Sequence, residues 1–177
     1  EFLVVNQFTV QGIDNVCRLD AVIFVNGLPL GVFELKSGVR TEATIGEAYR
    51  DIEYYKKEIP KLFLYNQVVG LSDLFNARHG TISSSWERYG TWKGIKAEND
   101  FPKEAEELEV LAKGLFNKER FLDVLQHFTI FEADSDGEAV TYTKKMCLYH
   151  QYYGVNKTID STIRAILGEQ DRKIGVF

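Results

Sequence analysis

Residues 19–37 read LDAVIFVNGLPLGVFELKS and decide the fold. Two runs rich in β-branched and aromatic residues, which favour strands, flank the turn-forming pair Asn26-Gly27 and the nearby Pro29. The stretch therefore predicts an antiparallel β-hairpin.

Three charged residues lie at the open end of this hairpin. Asp20 begins the first run, and Glu34 and Lys36 end the second. Because side chains on a strand alternate between faces, Glu34 and Lys36 share one face.

The length of the loop decides whether Asp20 joins them. A two-residue turn at Asn26-Gly27 places Asp20 opposite Phe33, whereas a five-residue loop over 25–29 places it opposite Glu34. We predict the longer loop, or a bulge of equal effect, partly because Pro29 has no N–H for a strand ladder and fits better in a turn.

With that register, two carboxylates and one ammonium converge. Two close carboxylates repel each other unless a cation lies between them, and hard oxygen ligands suit Mg²⁺, which also takes phosphate oxygens. Such a site fits metal-assisted phosphodiester hydrolysis, with Lys36 orienting water or contacting phosphate. The alternative is that Glu34 and Lys36 form an ordinary surface ion pair.

Working outward, the first half of the chain predicts a mixed sheet with one helix, in the order β-β-β-α-β-β. Thr44 to Glu47 fits a capping box, and Pro60 should end the helix that follows. The predicted strands cover Leu3–Val10, the hairpin, Leu62–Leu71 and short pieces of Arg78–Trp92.

The second half predicts mainly helix. We place a domain boundary at Ala97–Lys103, giving domains 1–102 and 103–177. Amphipathic helices are expected on either side of Gly114–Lys118. Beyond them we expect an acidic loop at Glu132–Glu138, helices beginning at Lys144 and Thr158, and a strand at Lys173–Phe177.

Composition excludes disordered and membrane-spanning proteins. The 177 residues are 45% hydrophobic and 27% charged, with no apolar run of roughly 20 residues. The net charge of −5 means that nucleic acid binding would need a local basic surface. Candidates are Arg18, Lys36, Arg40, Arg50, Lys56, Lys57, Lys61, Arg78, Arg88, Lys93 and Lys96. Two distant cysteines and three scattered histidines predict a reducing cytoplasm and no zinc site.

A family resemblance covers almost the whole chain. It is carried by VVNQFTV (4–10), CRLDAVIFVNGLPLGVFELKS (17–37), GEAYRDIEYY (46–55), IPKLFLYNQVVGLSD (59–73), ARHGT (77–81) and WERYGTWKG (86–94). These blocks resemble the PD-(D/E)xK nuclease domain that begins the restriction (R) subunit of type I restriction-modification enzymes. The fold implied is α/β, with a mixed central sheet flanked by helices.

The resemblance implies roles for five residues. Asp20 and Glu34 would be Mg²⁺ ligands and Lys36 the catalytic lysine. The family tends to carry Gln-x-x-x-Tyr on the following helix; Tyr55 matches its Tyr, but Asp51 stands where the Gln is usual. Tyr55 could equally be a core aromatic residue that packs on the sheet.

The second half resembles the start of a superfamily 2 helicase domain, which is RecA-like. In HQYYGVNKTI (150–159), Gln151 would contact the adenine of ATP; otherwise it is an ordinary exposed helix residue. QDRKIGVF resembles the strand before a phosphate loop, but no G-x-x-x-x-G-K-[ST] occurs, so ATP binding would belong to a longer parent protein. Starting at Glu1 without Met, the chain is expected to be a piece of such a protein.

The expected function is therefore Mg²⁺-dependent cleavage of double-stranded DNA. The resemblance implies partners in the methyltransferase (M) and specificity (S) subunits, and ATP-driven translocation by the full protein. Two alternatives are a noncatalytic nuclease-like docking module and a standalone repair or recombination nuclease of the same fold.

Overall fold

The computed structural model describes residues 1–37, 44–73, 75–98, 100, 106–135 and 140–168. A five-stranded sheet forms the centre of the first half, with the strands side by side in chain order. Its strands are β1 (Phe2–Gln11), β2 (Val16–Val25), β3 (Leu28–Leu35), β4 (Val68–Ser72) and β5 (Ala77–Gly80).

The sheet is mixed, as predicted. Strand β3 pairs parallel with β4, and the other neighbouring pairs are antiparallel. A parallel pair needs a long crossover, which here contains α1 (Ile45–Glu58) and the one-turn helix α2 (Pro60–Phe63). The order β-β-β-α-β-β is confirmed, but the strand predicted over Leu62–Leu71 is limited to β4, because Pro60 starts a helical turn instead.

The hairpin turn is shorter than predicted. Val25 pairs with Leu28, and Asn26 and Gly27 have φ angles of 50° and 84°. Two successive left-handed residues make the tight turn that Asn-Gly favours. The five-residue loop is therefore wrong, and Pro29 lies within β3.

A bulge follows the turn. The register shifts between Phe24 and Ile23, so that Ile23 pairs with Gly31 and Ala21 with Phe33. The extra residue is Leu30. The predicted alternative, a bulge of equal effect, is therefore confirmed, because the added residue in β3 shifts the later pairs as the long loop would have done.

Helix α1 covers one face of the sheet. Glu47 accepts a hydrogen bond from the Thr44 N–H (3.2 Å), as the capping box predicts, and the helix ends before Pro60. Its residues Ala48 and Ile52 are fully buried. They belong to the α1-side cluster, which comprises Cys17, Leu19, Val22, Val32, Ala48, Ile52, Ile59, Phe63, Val69, Leu71 and Tyr89.

Helices from the second half cover the other face. These are α3 (Glu107–Lys113), α4 (Lys118–His127) and α5 (Tyr149–Leu167). Their apolar residues join the α4-side cluster: Ile23, Val25, Phe33, Val68, Ala77, Trp92, Leu111, Leu115, Phe121, Val124 and Tyr153. This cluster draws residues from both sides of the predicted boundary at 102.

The region between α4 and α5 differs from the prediction. Strands β6 (Thr129–Ser135) and β7 (Val140–Met146) form an antiparallel hairpin, so the start of the predicted acidic loop and of the helix from Lys144 is β-structure. Alternating residues such as Thr141 and Thr143 favour a strand. Helix α5 then runs unbroken to Gly168, whose φ of 77° ends it.

The strand predicted at Lys173–Phe177 lies outside the described residues. Within the described ranges, no helix is both long and apolar enough to cross a membrane.

Candidate active site

The bulge places Asp20 opposite Glu34. Continuing the register from the pair Ala21 and Phe33 brings the next residues of β2 and β3 together. The convergence predicted from the sequence is thus present, although a bulge produces it and not a long loop.

Lys36 is held between two carboxylates. Its Nζ donates to Glu34 Oε1 at 3.0 Å and to Asp51 Oδ2 on α1. Glu34 and Lys36 share the α1 face, as strand alternation requires. Asp51 therefore does reach the site from its position on the helix.

Glu34 is the most buried member of the group. The residue is only 3% exposed, and its buried Oε2 atom has no hydrogen-bond partner within the part of the chain that the structure describes. Burial raises the pKa of Glu34 to about 7; the charges of Asp20 and Asp51 add to the rise, while the hydrogen bond from Lys36 opposes it. Burying a carboxylate oxygen without a partner costs free energy, which a bound cation at this position would offset.

Asp20 lies where β2 and β3 stop pairing through their backbones. The last matched pair is Ala21 with Phe33, and beyond it the Leu35 N–H donates to Asp20 Oδ2 at 2.7 Å. The side chain thus takes the place of a strand carbonyl. This bond fixes one carboxylate oxygen of Asp20 near the end of β3.

Tyr55 supports the site from α1. Its hydroxyl donates to the backbone carbonyl of Arg18 at 3.1 Å, two residues before Asp20, and its ring packs beside the α1-side cluster. Burial and the charges of Glu34 and Asp51 raise the pKa of Tyr55, so the hydroxyl keeps its proton. The reading of Tyr55 as a packed aromatic residue is confirmed, and its role in the site stays a prediction.

The charge state of Lys36 follows from its partners. Burial lowers the pKa of Lys36, but the hydrogen bonds to Asp51 and Glu34 outweigh that effect and raise the pKa above its ordinary 10.5. Lys36 is consequently an ammonium at neutral pH. It can donate hydrogen bonds and supply positive charge, but it cannot accept a proton.

Asp20 and Glu34 fit a divalent cation. Both present oxygen donors of the kind that Mg²⁺ prefers, and Glu34 Oε2 is an acceptor to which none of the described residues supplies a donor. Among the described residues no group of three or more His, Cys, Asp or Glu side chains can hold a metal. Two carboxylates are therefore what the described chain offers, a small number that is usual for Mg²⁺ beside substrate phosphates.

Gln151 lies far from this group in the chain, near the start of α5. Its Oε1 accepts the Leu148 N–H at 2.8 Å and so caps the helix. It also lines a cavity of about 810 Å³ together with Ser84, Arg88, Ile130, Lys144 and Val155. Its contact with adenine stays a prediction.

Several of the proposed phosphate-facing cations have partners within the chain. Lys56 pairs with Glu53, and Arg78 lies 4.8 Å from the centre of the Trp86 ring. Arg18 and Lys57 are exposed, while Arg40 lies outside the described residues. The basic surface stays a prediction.

Sequence comparison adds an independent finding. The family described as "Type I restriction enzyme R protein N terminus" matches residues 1–88. That range contains the whole five-stranded sheet, α1 and every residue of the Asp20, Glu34, Lys36, Asp51 and Tyr55 group.

Individual relatives extend the similarity beyond residue 88. The chain is 42% identical over 179 residues to the type I restriction enzyme HindI endonuclease subunit of Haemophilus influenzae, covering 99% of this chain and 17% of that protein. It is 32% identical over 198 residues to the putative type I restriction enzyme MjaIXP endonuclease subunit of Methanocaldococcus jannaschii, covering 99% and 18%. The chain thus spans less than a fifth of the length of either relative.

Proposed function

The chain belongs to the family of type I restriction enzyme R protein N-terminal regions, and from that premise we propose that it is a Mg²⁺-dependent endonuclease of PD-(D/E)xK type acting on double-stranded DNA. It would be the nuclease part of a type I site-specific deoxyribonuclease. The proposal rests on the site geometry as well as on the family.

One observation carries the proposal: the buried carboxylate of Glu34 has an oxygen that no described residue contacts through a hydrogen bond, and it lies opposite a second carboxylate, Asp20, beside a charged lysine. The free-energy cost of burying the Glu34 carboxylate would be offset when a cation and a phosphate complete the site.

Each protein residue has a distinct task. Asp20 and Glu34 would hold the cation, and the Leu35 N–H keeps Asp20 in place. Lys36, held charged by Glu34 and Asp51, would donate to a phosphate oxygen or orient the attacking water. Since Lys36 keeps its proton, its contribution is electrostatic.

When bound, Mg²⁺ would lower the pKa of a coordinated water and offset charge on the phosphodiester oxygens. Without Mg²⁺ the site contains three carboxyl groups, those of Asp20, Glu34 and Asp51, and one ammonium, that of Lys36. The chain's own charges would therefore repel phosphate, and DNA would bind productively only to a neutralised site.

The longer parent protein would add the remaining activities. We propose that it couples cleavage to ATP-driven DNA translocation, with Gln151 contacting adenine, and that it acts in the cytoplasm with methyltransferase and specificity subunits. A helicase-like ATPase domain of RecA type would follow the helical segment, and the division into domains 1–102 and 103–177 stays a prediction.

The test is cleavage of a plasmid by the parent complex with ATP and Mg²⁺. Glu34→Ala and Lys36→Ala should each lower the cleavage rate about 100-fold or more, because each removes charge stabilisation at the reacting phosphate. Lys113→Ala, an exposed lysine on α3 outside the proposed basic surface, serves as the matched control and should cleave like the wild type.

ATP hydrolysis by the same complexes separates the possible outcomes. Normal ATP hydrolysis with lost cleavage supports a catalytic role. Retained cleavage in Glu34→Ala and Lys36→Ala would refute it and favour a noncatalytic docking module.

A further inference from the structure

Strand β1 contains a residue in an unfavourable backbone conformation. Gln7 has a φ of 51°, in the left-handed region, although it lies in the middle of a ten-residue strand. Among the described non-glycine residues, Asn26 in the hairpin turn is the only other one with positive φ. Such a conformation costs free energy for a residue with a Cβ and persists only where the surrounding structure imposes it.

Gln7 lies opposite Asp20. The ladder between β1 and β2 runs from Phe2 with Val25 to Asn6 with Ala21, and resumes with Phe8 and Leu19. Gln7 and Asp20, which would form the pair between these two, are not paired in the ladder. The interruption thus coincides with the first carboxylate of the candidate site.

The strand pair changes faces at this point. Cys17 and Leu19 belong to the α1-side cluster, whereas Ile23 and Val25 belong to the α4-side cluster. Regular alternation would keep these four residues, all odd-numbered, on one face of the sheet.

Strand β1 changes face in the same way. Phe8 packs beside the α1-side cluster, and Phe2, also even-numbered, packs beside the α4-side cluster. A left-handed residue reverses the direction of the side chains that follow it, and Gln7 lies between these two.

This change of face in β1 and β2 determines on which side of the sheet Asp20 lies. If β2 continued regularly from Leu19, Asp20 would lie on the α4 face, away from the α1 face that carries Glu34 and Lys36. With the switch, Asp20 reaches the Leu35 N–H at 2.7 Å. We infer that Gln7 is a positioning residue, whose left-handed backbone turns the Asp20 carboxylate to the α1 face of the sheet beside Glu34.

The Gln7 side chain is exposed, which makes the inference testable. Substitutions there act mainly through the backbone. Gly adopts positive φ without cost, whereas a β-branched residue strongly resists it. The chain also supplies a matched control in Gln11, an exposed glutamine at the end of the same strand with ordinary φ.

The experiment compares Gln7→Gly, Gln7→Val and Gln11→Val in the 177-residue chain. The first measurement is hydrogen exchange of the Leu35 amide by NMR, with Asp20→Asn as the reference for a weakened bond. The second is Mg²⁺ binding by titration calorimetry. Gln7→Gly should keep wild-type exchange and Mg²⁺ affinity, with an unfolding midpoint at or above that of the wild type.

Gln7→Val should exchange the Leu35 amide about tenfold faster or more and lose about tenfold or more in Mg²⁺ affinity, since a charged hydrogen bond is lost. Gln11→Val should match the wild type in both measurements. Rescue by Gly and failure of Val, at one exposed position, is an outcome that lost side-chain contacts would not produce.

If Gln7→Val exchanges the Leu35 amide like Gln11→Val, the positioning role is overturned. The Mg²⁺ measurement rests on the proposed function, but the exchange measurement does not. A wild-type chain that bound no Mg²⁺ would contradict the metal site, and the Leu35 amide would still decide whether Gln7 positions Asp20.

Discussion

Glu34→Gln should stabilise the metal-free protein at alkaline pH while abolishing cleavage. In the folded chain the pKa of Glu34 is raised from 4.5 to about 7, chiefly by burial. Below pH 4.5 the group is protonated in both the folded and the unfolded state and has no effect. As the pH rises, the unfolded chain loses this proton first, so the free energy of unfolding falls until the folded group also ionises at about pH 7.

The magnitude follows from that difference. A pKa raised from 4.5 to about 7 corresponds to about 3 kcal/mol of lost stability above pH 7, but to less than about 1 kcal/mol at pH 5. Glutamine has no charge to bury, and its side-chain oxygen can still accept the hydrogen bond from Lys36. Glu34→Gln should therefore be more stable than the wild type by about 3 kcal/mol at pH 8, with the gain mostly gone at pH 5.

Urea unfolding in EDTA at pH 5, 6, 7 and 8 measures this gain. At pH 8 the variant's midpoint should lie about 1 M or more above that of the wild type. Glu109→Gln is the matched control, because Glu109 forms an exposed pair with Lys113 and should change stability by less than about 0.5 kcal/mol. A Glu34→Gln protein that is destabilised equally at every pH would show that Glu34 acts as a structural ion-pair partner and would refute the reasoning.

Asp51, His79 and Trp92 offer three further tests. Asp51→Gln removes one of the two carboxylates that raise the pKa of Lys36, so Lys36 should lose its proton at a lower pH than in the wild type. Cleavage by the parent complex should then decline at a lower alkaline pH, and identical declines in the two proteins would contradict this. Burial lowers the pKa of His79 from 6.5 to about 4, so the unfolded chain binds this proton first as the pH falls, and the free energy of unfolding should fall by about 3 kcal/mol between pH 6.5 and 4. In urea titrations His79→Leu should lose this pH dependence, and an unchanged pH dependence would contradict the prediction. Trp92→Ala should cost about 3–5 kcal/mol in urea unfolding, because the fully buried ring lies in the cluster shared by the sheet and the later helices; a loss below about 1 kcal/mol would mean that α3, α4 and α5 do not pack on the sheet.

Local signals in the sequence were enough for much of the fold. Strand composition on both sides of Asn26-Gly27 predicted the hairpin, and the Thr44 capping box with Pro60 predicted both ends of α1. They failed where a short apolar run can belong to either a helix or a strand. Residues 62–67 and Lys144–Met146 are the examples, since packing and not local preference decides such segments.

The chemical groups of the candidate site can be read directly from the sequence. Asp20, Glu34 and Lys36 are fixed by position on the hairpin, and strand alternation already places Glu34 beside Lys36. The convergence with Asp20 required one extra residue in β3, and the sequence did not show whether a loop or a bulge would supply it.

The arrangement and the charge states of these groups follow from tertiary packing. The pairing of Lys36 with Asp51, the unpartnered oxygen of Glu34 and the left-handed backbone of Gln7 depend on contacts between segments far apart in the chain. The physical reason is that burial and the pKa of a buried group are properties of the packed surroundings, and a strained backbone angle persists only where those surroundings impose it.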